Sequence, residues 1–198
     1  MKEEIIKNAM NAFSIESESL LKTAEVIDKN EFARAVEILA KAPKIASSGC
    51  GHSGIACRHF AHLMCCIERP ARFISPAEAV HGALGFLAAG DVILLVSRGG
   101  KTDELMPIAD ICRKKGVTVI TVTENTSSPL AEKADIILAM AVTKECDKYN
   151  CQGTTSFAVT SAIFDALQSA VLEYTEFKNE EFAVIHPAGA VGKRLNNK

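Results

Sequence analysis

The sequence predicts an α/β fold, a three-layer α/β/α sandwich around a five-stranded parallel sheet. Short apolar segments alternate along the chain with longer segments of helical periodicity, an alternation typical of βαβ units. The clearest strand is 91–97, DVILLVS, an unbroken apolar run. Such a run fits a strand of a parallel sheet that is covered on both faces, so we expect helices on either side of it.

Two helices are predicted ahead of the sheet. Apolar residues recur at helical spacing over 2–27. A second helix is predicted over Glu31–Lys41, with Asn30 as its N-cap and Pro43 just beyond its end. The α/β core is therefore expected to begin immediately after these two helices.

Strands and helices then alternate through the core. Because helical crossovers separate successive strands, the strands are predicted to run parallel. The predicted strands are KIASS (44–48), ARFIS (71–75), DVILLVS (91–97), VTVITVT (117–123) and DIILAM (135–140). The predicted helices of the core cover 53–67, 105–115 and 154–174.

A single domain is predicted over 1–198. The 198 residues fit one domain, the 48% of hydrophobic residues suffices for a buried core, and no internal repeat or low-complexity linker divides the chain. Within this domain the N-terminal helices take 1–42. The core takes 43–198 and is closed by a His-Pro segment.

Charge and hydropathy exclude several classes of partner. The formal net charge of −2 gives no basis for binding nucleic acid or an anionic membrane surface. The first ten residues, MKEEIIKNAM, lack the apolar core of a signal peptide. No stretch approaches the roughly 18 consecutive apolar residues of a membrane span. We therefore expect a cytoplasmic protein with no nucleic-acid and no membrane partner.

The seven cysteines are predicted to be reduced thiols, because none forms a C-x-x-C pair and most lie in apolar stretches. Cys50 is set apart because it lies inside a glycine-rich loop. His59 and His62 have the spacing of a metal-binding pair, but two histidines along one helix face are the commoner explanation. We expect no metal and no cofactor.

The first turn of the core, SSGCGHSG (47–54), has glycines at the spacing G-x-G-x-x-G. This spacing is found in dinucleotide-binding loops and also in loops that bind smaller phosphates. A dinucleotide fold places an acidic residue at the end of the second strand. Here that strand ends in Ser75-Pro76, and Glu78 follows only after the proline. The acidic residue is therefore not at the position that a dinucleotide-binding fold requires.

A second turn, SRGGKTDE (97–104), follows the third strand and opens a helix. Backbone N–H groups and the helix dipole favour an anion at such a place. Both turns lie at carboxyl ends of strands in one sheet and are expected to meet at one crevice. A small phosphorylated ligand fits this arrangement better than a dinucleotide. The alternative is that both turns only make tight strand-to-helix connections.

Five segments match, in order, the motifs of one known family. The segments are SSGCGHSG (47–54), SPAEAVHGALG (75–85), SRGGKTDEL (97–105), TKEC (143–146) and HPAGAVGKRL (186–195). In these motifs the chain resembles the SIS (sugar isomerase) domain, and especially that of arabinose-5-phosphate isomerases. The resemblance implies a flavodoxin-like, Rossmann-type fold without a nucleotide. That group commonly carries paired CBS domains after the last motif, where the present sequence ends.

The resemblance also implies the residues of an aldose–ketose isomerase. This reaction moves a proton between adjacent carbons through an enediol and needs a base, a group that opens the sugar ring and a clamp on the phosphate. Glu145 is the expected base, and His186 is expected to open the ring. His81 and Glu104 are expected to bind the sugar hydroxyls. Taken alone, each has an ordinary explanation, such as a helix-dipole contact for Glu104.

The predicted phosphate-binding residues lie in the two turns. Three positions depart from the family pattern. His52 stands where the isomerases have lysine, Gly99 where a serine is common, and Lys101 where they have an acidic residue. The predicted set comprises Ser48, Gly51, His52, Ser53, Ser97, Gly100, Lys101 and Thr102.

The resemblance implies a homodimer or homotetramer, with sites between subunits and the long N-terminal helix as a possible interface. A non-catalytic sugar-phosphate sensor remains the competing function, because SIS domains also serve regulators. The presence of all four histidine and glutamate positions favours the enzyme. A dinucleotide-dependent oxidoreductase is third.

Overall fold

The computed structural model describes residues 1–196, so the last two residues of the predicted domain lie outside the described part. The α-helices are α1 (Lys2–Val26), α2 (Lys29–Lys41), α3 (Gly51–Cys65), α4 (Pro76–Ala79), α5 (Met106–Lys114), α6 (Thr155–Thr175), α7 (Asn179–Ile185) and α8 (Gly189–Asn196). The strands are β1 (Ile45–Gly49), β2 (Ala71–Phe73), β3 (Val92–Val96), β4 (Thr118–Thr123) and β5 (Ile136–Ala139). Short 3₁₀ turns occupy Ala83–Phe86, Asp103–Leu105 and Ala131–Lys133.

The five strands form one parallel sheet in the order β2-β1-β3-β4-β5, which confirms the predicted fold class. β1 is paired with β3 from Ile45↔Val92 to Gly49↔Val96. The chain leaves β1 for one neighbour, β2, and returns to the other side of β1 as β3. Ligands of open parallel sheets bind at such a reversal, outside the carboxyl ends of the strands.

Alternate residues of the strands enter two apolar layers. Leu94 of β3 packs with α2, α3 and α6, together with Phe60 and Phe164 of these helices. Its neighbours Ile93 and Leu95 face the other layer, formed mainly by α5 and the 3₁₀ turns. Because a strand points successive side chains to opposite faces, a fully apolar strand is buried by helices on both sides.

The N-terminal helices differ from the prediction in one detail. α2 begins at Lys29 rather than Glu31, and its N-cap is Asp28, whose Oδ1 accepts from the N–H groups of Asn30 and Glu31 at 2.7 and 3.0 Å. The prediction of Asn30 as the N-cap is therefore wrong. Asp and Asn are comparable N-cap residues, so composition gave no means of choosing between them.

α6 is the one helix of residues 1–196 that is long and apolar enough, by length and composition, to span a membrane. In the structure it is a core helix. Val159, Phe164 and Leu167 are fully buried against the neighbouring helices. Core helices pass the same test of length and composition, so this feature does not indicate a span.

Candidate active site

A cavity of about 700 Å³ opens at the carboxyl edge of the sheet, between the first and second turns. Its wall combines the start of α3, the end of β2 with α4, and the 3₁₀ turn after β3. This is the chain reversal between β1 and β3, the usual ligand position in such a sheet. The lining residues are Gly49, Cys50, Gly51, Gly54, Ile55, Arg58, Phe73, Ser75, Pro76, Ala77, Glu78, Val80, His81, Glu104 and Pro107.

Glycine allows the first turn to bring β1 and α3 into close contact. A Cβ atom at Gly54 would lie 2.5 Å from the carbonyl oxygen of Gly49, so only glycine fits there. Gly51 has a φ of 54°, in the left-handed region. Cys50 is the N-cap of α3 and makes no side-chain capping hydrogen bond. The N-terminal N–H groups of α3 therefore have no side-chain cap, and helix ends of this kind bind anions.

The second turn is closed by its own polar groups. Ser97 Oγ lies 2.8 Å from Thr102 Oγ1, and the N–H of Gly100 donates to the carbonyl of Ser97 at 3.0 Å. Gly100 has a φ of 65°, and a Cβ atom there would lie 1.9 Å from Ser128 Oγ. Glycine at this position is thus required both by backbone conformation and by space.

Three of the predicted site residues line the cavity together: Gly51, His81 and Glu104. Cys50 lines it as well. Burial raises the pKa of the Cys50 thiol, and the negative charge of Glu104 raises it further. The first turn, which holds Cys50, and the 3₁₀ turn that holds Glu104 are therefore close enough to interact electrostatically.

The other predicted phosphate-binding residues do not line this cavity. Ser48 is fully buried, and its hydroxyl donates to the carbonyl of Ile74 at 2.8 Å. Ser97 is 5% exposed. Ser48 thus serves the connection between β1 and β2, a role that its sequence position did not indicate. Gly100 is buried, Ser53 and Thr102 are partly exposed and Lys101 is exposed.

His52 turns away from the cavity lining, toward the start of α6. A Cβ atom built on Gly153 would lie 3.1 Å from the Cβ, Cγ and Nδ1 atoms of His52. The His52 ring also meets the edge of Phe157, with 6.4 Å between the ring centroids. The N-terminus of α3 therefore stands between the cavity and the segment 141–154, which precedes α6.

Glu145 lies in that segment and is 3% exposed. Its Oε1 accepts from Arg98 Nη1 at 2.8 Å, and its Oε2 accepts from the N–H of Ser156 at 3.1 Å and from Thr154 Oγ1 at 3.3 Å. Burial alone would raise the pKa of the Glu145 carboxyl. Hydrogen bonds from Ser156, the charge of Arg98 and the hydrogen bond from Thr154 outweigh it and hold this pKa below its ordinary value. Glu145 is therefore an ionised carboxylate at neutral pH.

His186 ends α7, where its ring packs on Phe182 with 4.9 Å between centroids. Its Nδ1 is buried and has no hydrogen-bond partner within residues 1–196. Phe182 lines a groove with Cys66, which directly follows α3. α3 has 15 residues, about 22 Å at 1.5 Å per residue; its N-terminal half lines the cavity and its C-terminal end lies beside this groove. His186 thus does not line the cavity and lies toward the C-terminal end of α3.

Two arginines of the site were not predicted. Arg58 lines the cavity seven residues after Gly51, two helical turns along α3, and its guanidinium lies 4.1 Å from the centroid of the Phe73 ring. This helical spacing was a usable signal. Arg98 contacts Glu124 and Glu145, which lie 26 and 47 residues away in sequence. No local pattern indicates such partners.

Within residues 1–196, no group of three or more histidine, cysteine, aspartate and glutamate side chains has the arrangement of a metal site. Nε2 of His59 instead lies 3.3 Å from Asp165 Oδ1 of α6. Cys66 Sγ lies 3.7 Å from His62 Nε2, in a separate contact at the end of α3. His59 and His62 therefore have different neighbours.

Comparison with protein families matches residues 38–170 to the SIS domain. The curated arabinose 5-phosphate isomerase KdsD of Pseudomonas aeruginosa is 36% identical over 167 residues, which are 84% of this chain and 51% of that protein. The chain thus spans about half the length of this relative.

Two solved structures carry the same fold over nearly their whole length. A candidate sugar-phosphate isomerase of Listeria monocytogenes is 39% identical, with a TM-score of 0.91, 95% of this chain covered and 99% of that chain. The Escherichia coli CFT073 protein c3406, solved in complex with arabinose 5-phosphate, is 29% identical, with a TM-score of 0.80 and coverage of 91% and 98%.

Proposed function

This chain belongs to the SIS domain family, and we propose that it is an enzyme that isomerises a sugar phosphate, such as arabinose 5-phosphate, between its aldose and ketose forms. The observation that carries the proposal is the cavity at the β1–β3 reversal, where Glu104 and His81 stand beside an uncapped helix N-terminus. A carboxylate, an imidazole and an anion-binding turn are the groups that an enediol isomerisation of a phosphosugar needs. The named activities of the relatives agree with it.

In this proposal the phosphate binds at the N-terminus of α3 and at the second turn, near Ser97 and Thr102. The uncapped backbone N–H groups of α3 are hydrogen-bond donors that do not titrate, and the helix already holds them in position. Lys101 adds positive charge at the second turn, whereas His52 turns toward the start of α6 in a single chain. Glu104 and His81 bind the sugar hydroxyls in the cavity.

Glu145 is the proposed base that carries the proton between the two sugar carbons. Its ionised state at neutral pH suits a proton acceptor, and its hydrogen bonds fix its orientation. Glu104 is the competing candidate for the base. Of Glu104 and Glu145, it is Glu104 that lines the cavity within a single chain. Replacing each glutamate separately distinguishes them.

His186 does not line the cavity of its own chain, so in this proposal a second copy of the chain supplies the His186 that opens the sugar ring. We therefore propose a homodimer or homotetramer with sites between subunits. The exposed face of α1, formed by Ile6, Met10 and Phe13, supports association, because these apolar side chains have no cover within one chain.

The test is a binding and turnover panel on the wild-type protein. Arabinose 5-phosphate and related pentose and hexose phosphates should raise the melting temperature, since a ligand at 100 times its Kd adds about 2.7 kcal/mol of stability. NAD and NADP should not. Glu145→Gln should lower turnover by about 10²–10⁴ while binding stays within a few-fold. Glu37→Gln, at an exposed ion pair on α2, is the matched control.

The competing function is a non-catalytic sugar-phosphate sensor. One observation favours it: the Glu145 carboxylate is already occupied by Arg98, Thr154 and Ser156. A sensor binds one sugar phosphate and shows no turnover with any of them. Stabilisation by NAD and by no sugar phosphate would reject both functions.

A further inference from the structure

The guanidinium of Arg98 joins the ends of three strands. Arg98 follows Ser97 in the second turn, its Nη1 donates to Glu145 Oε1 at 2.8 Å, and its Nε donates to Glu124 Oε2 at 2.9 Å. The Arg98 carbonyl accepts from the N–H of Glu124 at 2.9 Å and from the hydroxyl of Thr123 at 3.0 Å. The second turn is therefore fixed to the segments that follow β4 and β5.

Of the two carboxylates, Glu145 depends more on this cation. Glu145 is 3% exposed, whereas the side chain of Glu124 is 36% exposed to solvent. A carboxylate withdrawn from water needs a counter-charge as well as hydrogen bonds. Within residues 1–196, Arg98 is the one cation that is paired with Glu145.

The remaining donors to Glu145 are neutral. Thr154 Oγ1 and the N–H of Ser156 belong to the start of α6, so the carboxylate also satisfies one of the free N–H groups at that helix end. Asn150 accepts from the Glu145 N–H at 2.7 Å. The other titratable side chains around this segment are Glu124 after β4, Glu16 of α1, His52 of the first turn, and Lys144, Cys146, Asp147, Lys148, Tyr149 and Cys151 of the segment itself.

We propose that Arg98 is a positioning residue of the candidate active site, which keeps the Glu145 carboxylate ionised and holds it at the N-terminus of α6. The proposal rests on the proposed function, in which Glu145 transfers the proton. Because Arg98 directly follows Ser97, one turn then both contacts the phosphate and orients the base.

The proposal has a defined pH consequence. In the absence of Arg98, neutral hydrogen bonds alone oppose the effect of burial on Glu145, so the pKa of this carboxyl rises. A larger fraction of the protein then carries a protonated base at acid pH. The acid limb of the kcat/KM profile therefore moves to higher pH. At pH 8 the Glu145 carboxylate is ionised with or without Arg98, so the rate there changes less.

The experiment follows the Glu145 carboxyl by ¹³C NMR from pH 3 to 8, with Glu145→Gln to assign its signal. Arg98→Met should raise its pKa by about 1–3, the usual effect of removing an opposite charge at this distance. Arg98→Lys keeps the charge and should restore most of the wild-type value. Arg34→Met, which removes an exposed arginine paired with Glu31 on α2, should leave the titration unchanged. The same variants are assayed for the pH dependence of kcat/KM.

An unchanged titration in Arg98→Met overturns the proposal, and so does a shifted titration with an unmoved acid limb. If no sugar phosphate is turned over, the proposed function fails, and the titration still decides whether Arg98 keeps Glu145 ionised. If Arg98→Met does not fold, the double variant Arg98→Met/Glu145→Gln should fold, because it removes the buried charge together with its counter-charge. Failure of both to fold overturns the proposal.

Discussion

The hydroxyl oxygens of Ser97 and Thr102 lie 2.8 Å apart, so the two ends of the second turn are joined by their side chains. Ser97 is 5% exposed, and Thr102 opens the 3₁₀ turn that carries Glu104 into the cavity. The turn is therefore already closed before any phosphate binds. A phosphate at this position would either displace the hydrogen bond between these two hydroxyls or accept further hydrogen bonds from them.

Ser97→Ala is expected to weaken phosphosugar binding and to lower stability modestly. The change leaves the Thr102 hydroxyl without its partner and costs about 1 kcal/mol in the free energy of unfolding. In the assay it should raise KM more than it lowers kcat, because it removes a binding contact rather than the base. Ser127→Ala, at an exposed residue of the next turn, is the control for urea unfolding and for kinetics. An unchanged KM would remove Ser97 from the phosphate site.

Gly100→Ala should destabilise the fold strongly, whereas Gly99→Ala should be nearly neutral. At Gly100 the new methyl group would enter a left-handed backbone conformation and lie 1.9 Å from Ser128 Oγ. These two effects together cost about 2–4 kcal/mol. At Gly99 nothing lies within 4 Å of the corresponding Cβ, and its φ is not positive. Urea unfolding measures both. Equal stabilities of the two variants would contradict this account of the turn.

The fold was predictable because its signals are local. Each strand of the sheet is a short apolar run, and β3 in particular is buried along its whole length, from Val92 to Val96. The two turns were predicted to meet because carboxyl ends of parallel strands share one edge. The structure has this arrangement, with the cavity between the turns. The family resemblance is likewise confirmed over residues 38–170.

Other features depend on contacts that sequence spacing does not reveal. Arg98 forms an ion pair with Glu145, which is 47 residues away in sequence. The buried hydroxyl of Ser48 donates to the carbonyl of Ile74, which is 26 residues away. The short helices α7 and α8 were not predicted, since neither extends beyond eight residues. Isolated segments of that length are not helical by propensity alone and depend on packing against their neighbours.

Stability should fall at acid pH in a way that depends on Glu145. In the folded protein the pKa of this carboxyl is below its ordinary value of 4.5, so the unfolded chain binds its proton more readily. The contribution to stability is complete above the unfolded-state pKa and is lost as pH falls through the folded-state pKa. The difference in the free energy of unfolding between wild type and Glu145→Gln should therefore stay constant at neutral pH and shrink as pH falls below the ordinary value of 4.5. A stability difference that is constant with pH would show that Glu145 is not held ionised.

The exposed apolar face of α1 is expected to be a subunit contact. Phe13 is 69% exposed and Leu21 is 67% exposed, on the side of the helix opposite the buried Ile15 and Ser19. Phe13→Glu should lower the mass measured by light scattering, because a carboxylate would be buried in the contact. Asn11→Glu adds the same charge on another side of α1 and should leave the mass unchanged. A monomeric wild type, or a Phe13→Glu variant of unchanged mass, would exclude this face.

Mixing two inactive variants tests whether the site is shared between subunits. Glu104 lines the cavity and His186 of the same chain does not, so in the proposed site the two residues come from two chains. Glu104→Gln and His186→Asn should each be inactive as pure proteins. After co-refolding at equal amounts, half of the dimers are mixed, and each of these has one intact site. The mixture should thus regain about a quarter of the wild-type activity.

The matched control for this mixture is Glu104→Gln with His81→Asn. Both residues line the cavity of one chain, so every site in a mixed dimer lacks at least one of them. No activity should return. Recovery in the first mixture but not in the second means that His186 enters the cavity of a neighbouring subunit. If neither mixture recovers while light scattering shows mixed dimers, His186 acts within its own chain or not at all. Its position outside the cavity lining then favours the second explanation.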